Sequence, residues 1–440
     1  MPRLPDFEVL VIDNNTSDPS LWRPVEAHCA YLGERFRFFH IEGIAGAKAG
    51  ALNFALPHTD PAAELVAVVD ADYQVQPDFL AGTVSYFDDP AMGFVQSPHA
   101  YRGWEHSTYL RLCNWEYAYF FATGMVSLNE RDAAITVGTM CVIRRRALEE
   151  AGGWAEWCLT EDSELAVRIH ALGYSSVYLN HIYGRGLIPE SFAGYKQQRF
   201  RWTYGPVQEL KHHVRLYLPG RWRRPSCLTS AQRLHHVTHG LHGTGVGVGI
   251  IAIPLAFRRD RLHGGPRRGG PPAVSLWLAA TVLLSSIYLL RWSVYRVLLG
   301  ARFGETLGAW LASASLTHVI VVANLWALAG RHVPWKRTDK FRPSARRAGA
   351  LGTARTELIV GLSCLGVAAL AVALLPKSGM ATMLAVGIVL QGLMYLAAPV
   401  MALLAERDLR RHVNDDDVVM ALDTSSGSLE EPAGERRSRC

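Results

Sequence analysis

The chain has 440 residues, 49 % of them hydrophobic, and a formal net charge of +6. That length allows two or three domains. The positive charge is gathered in Arg-rich loops beside apolar runs, where it sets membrane topology and touches anionic lipid, so nucleic acid is not an expected partner. The seven cysteines (Cys29, Cys113, Cys141, Cys158, Cys227, Cys364, Cys440) include no C-x-x-C pair, which suits a reducing face and gives no zinc site. No leader is expected at the opening Met1-Pro2-Arg3-Leu4-Pro5.

In chain order, the short β-branched runs at 7–12, 36–40 and 65–69 read as strands, separated by helical stretches at 22–32 and 47–56. This alternation predicts a doubly wound, mainly parallel sheet, in which ligands sit beyond the carboxyl ends of the strands. Asp13 and Asp70-Ala71-Asp72 fall at such ends. Strands are predicted at 92–96, 137–143 and 175–179, and a long aromatic helix at 107–123. Thr160 is expected to cap a helix that Gly173 stops. A further helix is predicted over 191–211; its four-residue step from Gln198 to Trp202 places both on one face, with Arg201 beside them.

From residue 237 to 405 the chain is dominated by apolar segments, at 240–257, 273–290, 307–329, 358–375 and 380–405. Loop 258–272 and loop 330–357 are rich in arginine and lysine, so both are expected on the cytosolic side. If 240–257 crossed the bilayer, parity would put both outside. The stretch 231–257 is therefore expected to lie in the interface or to re-enter, leaving four spans. The resulting division is a catalytic domain at 1–217, an interfacial segment at 218–257, a transmembrane region at 258–406 and a disordered polar tail at 407–440.

Three constellations carry chemistry. In Asp70-Ala71-Asp72, alternate residues of an extended segment point the same way, so both carboxylates can reach one hard cation such as Mg²⁺ or Mn²⁺. Alone, the pair also suits an ordinary polar turn. Thr160-Glu161-Asp162 opens a helix with acidic side chains; alone it is most simply an ordinary capped helix start, although a carboxylate there could also take a proton from a hydroxyl. Gln198-Arg199-Phe200-Arg201-Trp202 offers a planar guanidinium for phosphate oxygens and a flat ring for a sugar, although Arg and Trp also anchor interfacial helices.

In this order, D-x-D, T-E-D and Q-x-x-R-W resemble the family 2 glycosyltransferases of the cellulose synthase type. Other stretches fit the same pattern. Lys48-Ala49-Gly50-Ala51-Leu52-Asn53 resembles the family's K-A-G-A-L-N, Val95-Gln96-Ser97-Pro98 its V-Q-T-P, and Gly138-Thr139-Met140-Cys141 its G-T-N-C, with Met140 in place of asparagine. Trp335-Lys336-Arg337-Thr338-Asp339-Lys340 resembles its gating-loop F-x-x-T-x-K, with Trp335 for phenylalanine, in a loop at 331–356.

The resemblance implies a GT-A-like α/β catalytic domain followed by an all-α transmembrane region. Asp162 would be the base, and Asp70 and Asp72 would hold the metal. Asp13, Lys48, Asp70, Gln198, Arg201, Trp335, Thr338 and Lys340 would bind a UDP-sugar. Trp202, Glu161 and Thr160 would meet the acceptor. It implies inverting transfer, with glucose the expected sugar, to a growing β-linked polysaccharide passed across the cell membrane, with a cytosolic catalytic domain and accessory export subunits. The readings left open are a non-processive transferase acting on a lipid carrier and a membrane subunit without activity. The family's domain opens with a P-x-Y-N-E strand; this sequence begins at the strand after it, so an unpaired sheet edge is expected.

Overall fold

The computed structural model describes residues 6–222, 224–243, 286–335, 349–374 and 379–426. The α/β half begins with β1 (Val9–Asn14), α1 (Pro19–Leu32), β2 (Phe36–Ile41), α2 (Ala47–Ala55) and β3 (Leu65–Val68). It continues through β4 (Gln74–Val75), β5 (Met92–Gln96), α3 (Thr108–Tyr119), β6 (Cys141–Arg144) and α4 (Arg145–Ala151). It closes with α5 (Glu161–Leu172), β7 (Ser175–Tyr178), β8 (Gly184–Arg185) and α6 (Phe192–His212). The aromatic helix predicted at 107–123 passes from α3 into a wider π turn at Phe120–Met125.

In the main sheet three of the four strands run the same way and one is reversed. Four strands run in the order β3-β6-β5-β7, and β6 lies antiparallel to both neighbours while β5 and β7 are parallel. A short apolar run such as Cys141-Val142-Ile143 reads the same in either direction, so the sequence pattern could not reveal the reversal. β1 and β2 form a separate parallel ladder, in register from Val9 opposite Phe36 to Asn14 opposite Ile41. The main core packs α2, α4 and α5 against the four-stranded sheet through Ala49, Phe94, Ile143, Leu148, Leu165 and Ile169.

The helical half contributes α7 (Ser230–Leu241), α8 (Phe303–Ser315), α9 (Thr317–Leu328), α10 (Arg355–Leu374) and α11 (Gly379–Ser426). Three stretches of described helix are long and apolar enough to cross a membrane: Phe303–Leu328, Arg355–Leu374 and Leu384–Arg411. The expected span at 273–290 lies outside the described residues as far as 285, and so does 244–257 of the expected interfacial segment. α11 continues to Ser426, past the residue where a disordered tail was expected to begin. Within it Asp408, 6 % exposed, accepts through its carboxylate from Ser107 Oγ and Tyr109 N at 2.9 Å each, which ties this helix to the first turn of α3.

The two halves meet across α3 and α6. α8 packs on α3, and both α9 and α7 pack on α6. Ala312, Leu316, Val319, Ala398 and Met401 from the helical half share one buried cluster with Tyr109, Tyr117 and Tyr195 of the α/β half. Burial of that apolar surface fixes α6 in the position from which its side chains enter the site.

Candidate active site

The site is built around Gly138, in the loop that leads into β6. Its backbone lies in the left-handed region (φ +83°), and a side chain there would meet Asp162 Oδ2 at 2.7 Å and Lys48 Nζ at 3.4 Å. Glycine therefore allows Lys48 and Asp162 to approach from either side. Buried Gln96 secures the loop: its Oε1 accepts from Val137 N at 3.0 Å, and its Nε2 donates to Thr139 O at 2.8 Å. Thr139 Oγ1 in turn accepts from Asp70 N at 2.9 Å, so the loop and the D-x-D segment hold each other.

Lys48, at the start of α2, donates to Asp70 Oδ1 and, at 2.5 Å, to Gly138 O. Burial would lower its pKa, but Asp70, Glu161 and Asp162 together raise it, so the ammonium is held charged. Asp162 Oδ1 accepts from Ser163 N at 2.8 Å, and its backbone carbonyl accepts from Thr136 Oγ1 at 2.6 Å. Burial raises the Asp162 carboxyl above the usual carboxylate range, against the opposing pull of the Ser163 amide and Lys48. Burial also raises neighbouring Glu161, and the charge of Asp162 adds to the effect. Arg201 enters this field from α6. Its interactions with Glu161, Asp162 and Asp70 partly offset the burial that lowers its pKa, and its guanidinium lies 5.3 Å from the centre of the half-exposed Trp335 ring. Lys48, Asp70, Glu161, Asp162, Arg201 and Trp335 thus form one neighbourhood; Thr338 and Lys340 lie outside the described residues.

The other sequence-derived residues are placed differently. Asp72 Oδ2 accepts from Leu187 N at 2.8 Å. Gln198 is buried and accepts from the Tyr117 hydroxyl, and Trp202 packs edge-on to Tyr117 at 5.7 Å and near His99 at 6.1 Å. Asp13 lies on the β1–β2 ladder, where it accepts from Thr16 Oγ1 at 2.6 Å and meets His40 Nδ1 at 2.7 Å. The hydrogen bond to Asp13 raises the His40 pKa, and Trp22 stacks on the imidazole at 4.1 Å. Thr160 does not cap α5: its hydroxyl donates instead to Glu209 Oε1 at 2.6 Å.

No cluster of three or more His, Cys, Asp or Glu ligands occurs among the described residues. Mg²⁺ and Mn²⁺ sites on nucleotide substrates need only one or two carboxylates, with phosphate oxygens and water completing the shell. Asp70 and Asp72 supply two such hard donors, and Asp70 already holds a cationic group, the Lys48 ammonium, at its carboxylate. The donor set fits a divalent ion.

Residues 4–205 match the family described as "Glycosyltransferase like family 2". This region is similar to family 2 glycosyltransferases. It is 31 % identical over 205 residues to a probable glucomannan 4-beta-mannosyltransferase 11 of Arabidopsis thaliana, a match covering 45 % of this chain and 46 % of that protein. It is 29 % identical over 209 residues to a probable glucomannan 4-beta-mannosyltransferase 15 of the same plant, covering 46 % and 39 %. The match therefore spans less than half of either relative. Among solved structures, the mannosyltransferase PcManGT of Pyrobaculum calidifontis, in complex with GDP-Man and Mn²⁺, aligns with a TM-score of 0.45 at 17 % identity, over 74 % of this chain and 79 % of that one.

The sequence reading missed three residues that hold this site or its surroundings. Gln96 appeared only as part of a motif, His40 not at all, and Glu209 lies seven residues beyond Trp202 with no pattern to mark it. Each acts through a contact between residues far apart in the chain.

Proposed function

We propose that this chain is a membrane-embedded inverting glycosyltransferase that moves a hexose from a nucleotide-sugar to a β-linked polysaccharide. The observation that carries this is the approach of the Asp162 carboxylate to the Lys48 ammonium across Gly138, with Arg201 facing the same carboxylates. Asp162 would take the proton of the attacking hydroxyl as the new bond to the anomeric carbon forms. A single base and a direct displacement then suffice, with no covalent intermediate. Arg201 and Lys48 would stabilise charge on the departing diphosphate. A divalent ion held by Asp70 and Asp72 would supply further neutralisation of that charge. Trp202 would offer the acceptor a ring face, and Trp335 would close over the donor beside Arg201.

The donor is the finer question. The motif resemblance favours UDP-glucose, whereas the curated relatives are named as mannosyltransferases, which puts GDP-mannose beside it. The three long apolar helices and their basic loops support a bilayer location with the catalytic half on the cytosolic side.

Asp162→Asn is the test. The full chain in lipid nanodiscs should bind the active nucleotide, by calorimetry, within about threefold of the unmodified protein, while transfer falls by more than about 10³-fold because the base is gone. Retained turnover in this variant would remove Asp162 from the role.

A further inference from the structure

The base lies at the start of α5, and a helix N-terminus is normally secured by the residue before it. Here that residue, Thr160, leaves its cap role vacant and turns its hydroxyl toward α6. Glu209 of α6 receives it at 2.6 Å, and the same oxygen, Oε1, accepts from Ser163 Oγ. Thr160 and Ser163 flank Glu161 and Asp162, so one carboxyl oxygen holds both sides of the catalytic turn. Glu209 is 3 % exposed.

Two more contacts bring α6 onto the same segment. Gln208 Oε1 accepts from Leu159 N at 3.2 Å, and its Nε2 donates to Trp157 O at 2.7 Å. At Gly205 a side chain would lie 1.9 Å from Thr160 Oγ1, so only glycine lets the helix come this close. Arg201 is on the same helix, two turns earlier, so α6 places the arginine and the base relative to one another.

We propose that Glu209 is a positioning residue for the Asp162 base, clamping Thr160 and Ser163 so that the Asp162 carboxylate is held at Gly138. The proposal rests on the reading of Asp162 as the base. Glu209 itself touches no reacting atom. Its other neighbours are Cys158, Asp162, Glu164 and Tyr217, and burial pushes its carboxyl up to about 8. A neutral side chain is therefore at home there, and glutamine preserves both the acceptor oxygen and the charge state.

The test uses the full chain in nanodiscs, with nucleotide binding and transfer read separately. Glu209→Leu should lower kcat about 100-fold, the scale expected when a catalytic group is misplaced by about 1 Å, and leave nucleotide Kd within about twofold. Glu209→Gln should retain kcat within about threefold, because the clamp survives. Thr160→Val with Ser163→Ala should reproduce the Glu209→Leu loss, and adding Glu209→Leu to that pair should cost nothing further. If Glu209→Leu does not fold, Glu209→Asp, one methylene too short to reach both hydroxyls, should give about a 10-fold loss in kcat at unchanged Kd. A lowered melting temperature with kcat per folded molecule unchanged, or losses that add in the combined variant, would overturn the clamp. Absence of transfer by the unmodified chain from either donor would instead count against the proposed function, not against the clamp.

Discussion

The two sides of α6 differ in what they are packed against. On one side Tyr195, Gln198, Arg199 and Trp202 meet Tyr101, Glu116 and Tyr117. Arg199 pairs with Glu116 and lies over three aromatic rings, so that side is filled with protein. On the other side Lys196, Gln197, Phe200 and Arg201 line an open cleft of about 500 Å³, whose far wall includes His318, Trp326 and Pro334. One motif, Q-x-x-R-W, thus spans two environments. Its arginine faces the acidic cluster and the space beside it, its glutamine is bonded within the packed side, and its tryptophan sits at the border. Residues grouped by spacing need not share a task.

Substitutions can break or sharpen this contrast. Within α6 the largest effect is expected at Arg201. Arg201→Ala removes the cation facing Glu161, Asp162 and Asp70 and should lower transfer about 100-fold with little change in melting temperature. Steady-state kinetics beside a thermal scan would check it, and equal losses in stability would erase the distinction between the two sides. Trp202→Ala should raise the acceptor KM about 10-fold, from the lost ring face, and also lower the melting temperature because Tyr117 loses a neighbour.

Next comes a pH effect. In the folded state Glu209 keeps its proton up to about 8, whereas the ordinary value is 4.5. Between these the folded state binds more protons than the unfolded state, so stability falls as pH rises through the window. Glu209→Gln should flatten that dependence, visible as melting temperatures at pH 5 and pH 8 that differ less than in the unmodified chain. The smallest effect is at Gln198. Gln198→Leu removes the acceptor of the Tyr117 hydroxyl and should cost about 1–3 kcal/mol in stability, with kcat nearly unchanged. Urea titration would measure it.

Much of this was legible in the sequence. The strand at 92–96 matches to the residue, and α6 lies within one residue of its predicted bounds at each end. The gathering of Lys48, Asp70, Asp162 and Arg201 was expected from motif order. What was hidden follows from physics that local patterns do not encode. The antiparallel insertion of β6 left no trace, because period and composition carry no direction. The departure of Thr160 from its cap could not be foreseen, because a buried carboxyl 49 residues away competes for the same hydroxyl. The helical run through Asp408 was hidden by its polar composition, although one buried carboxylate ties it to α3.

The central claim is a direct displacement assisted by Asp162, and the anomeric configuration of the product tests it most directly. Nucleotide-activated mannose and glucose carry α-linked diphosphates. The full chain, given GDP-mannose or UDP-glucose with Mn²⁺ and an oligosaccharide primer, should yield a new β linkage, read from the anomeric signals of the product by proton NMR. An α-linked product would mean retention, and would contradict a mechanism built on one base and no covalent intermediate.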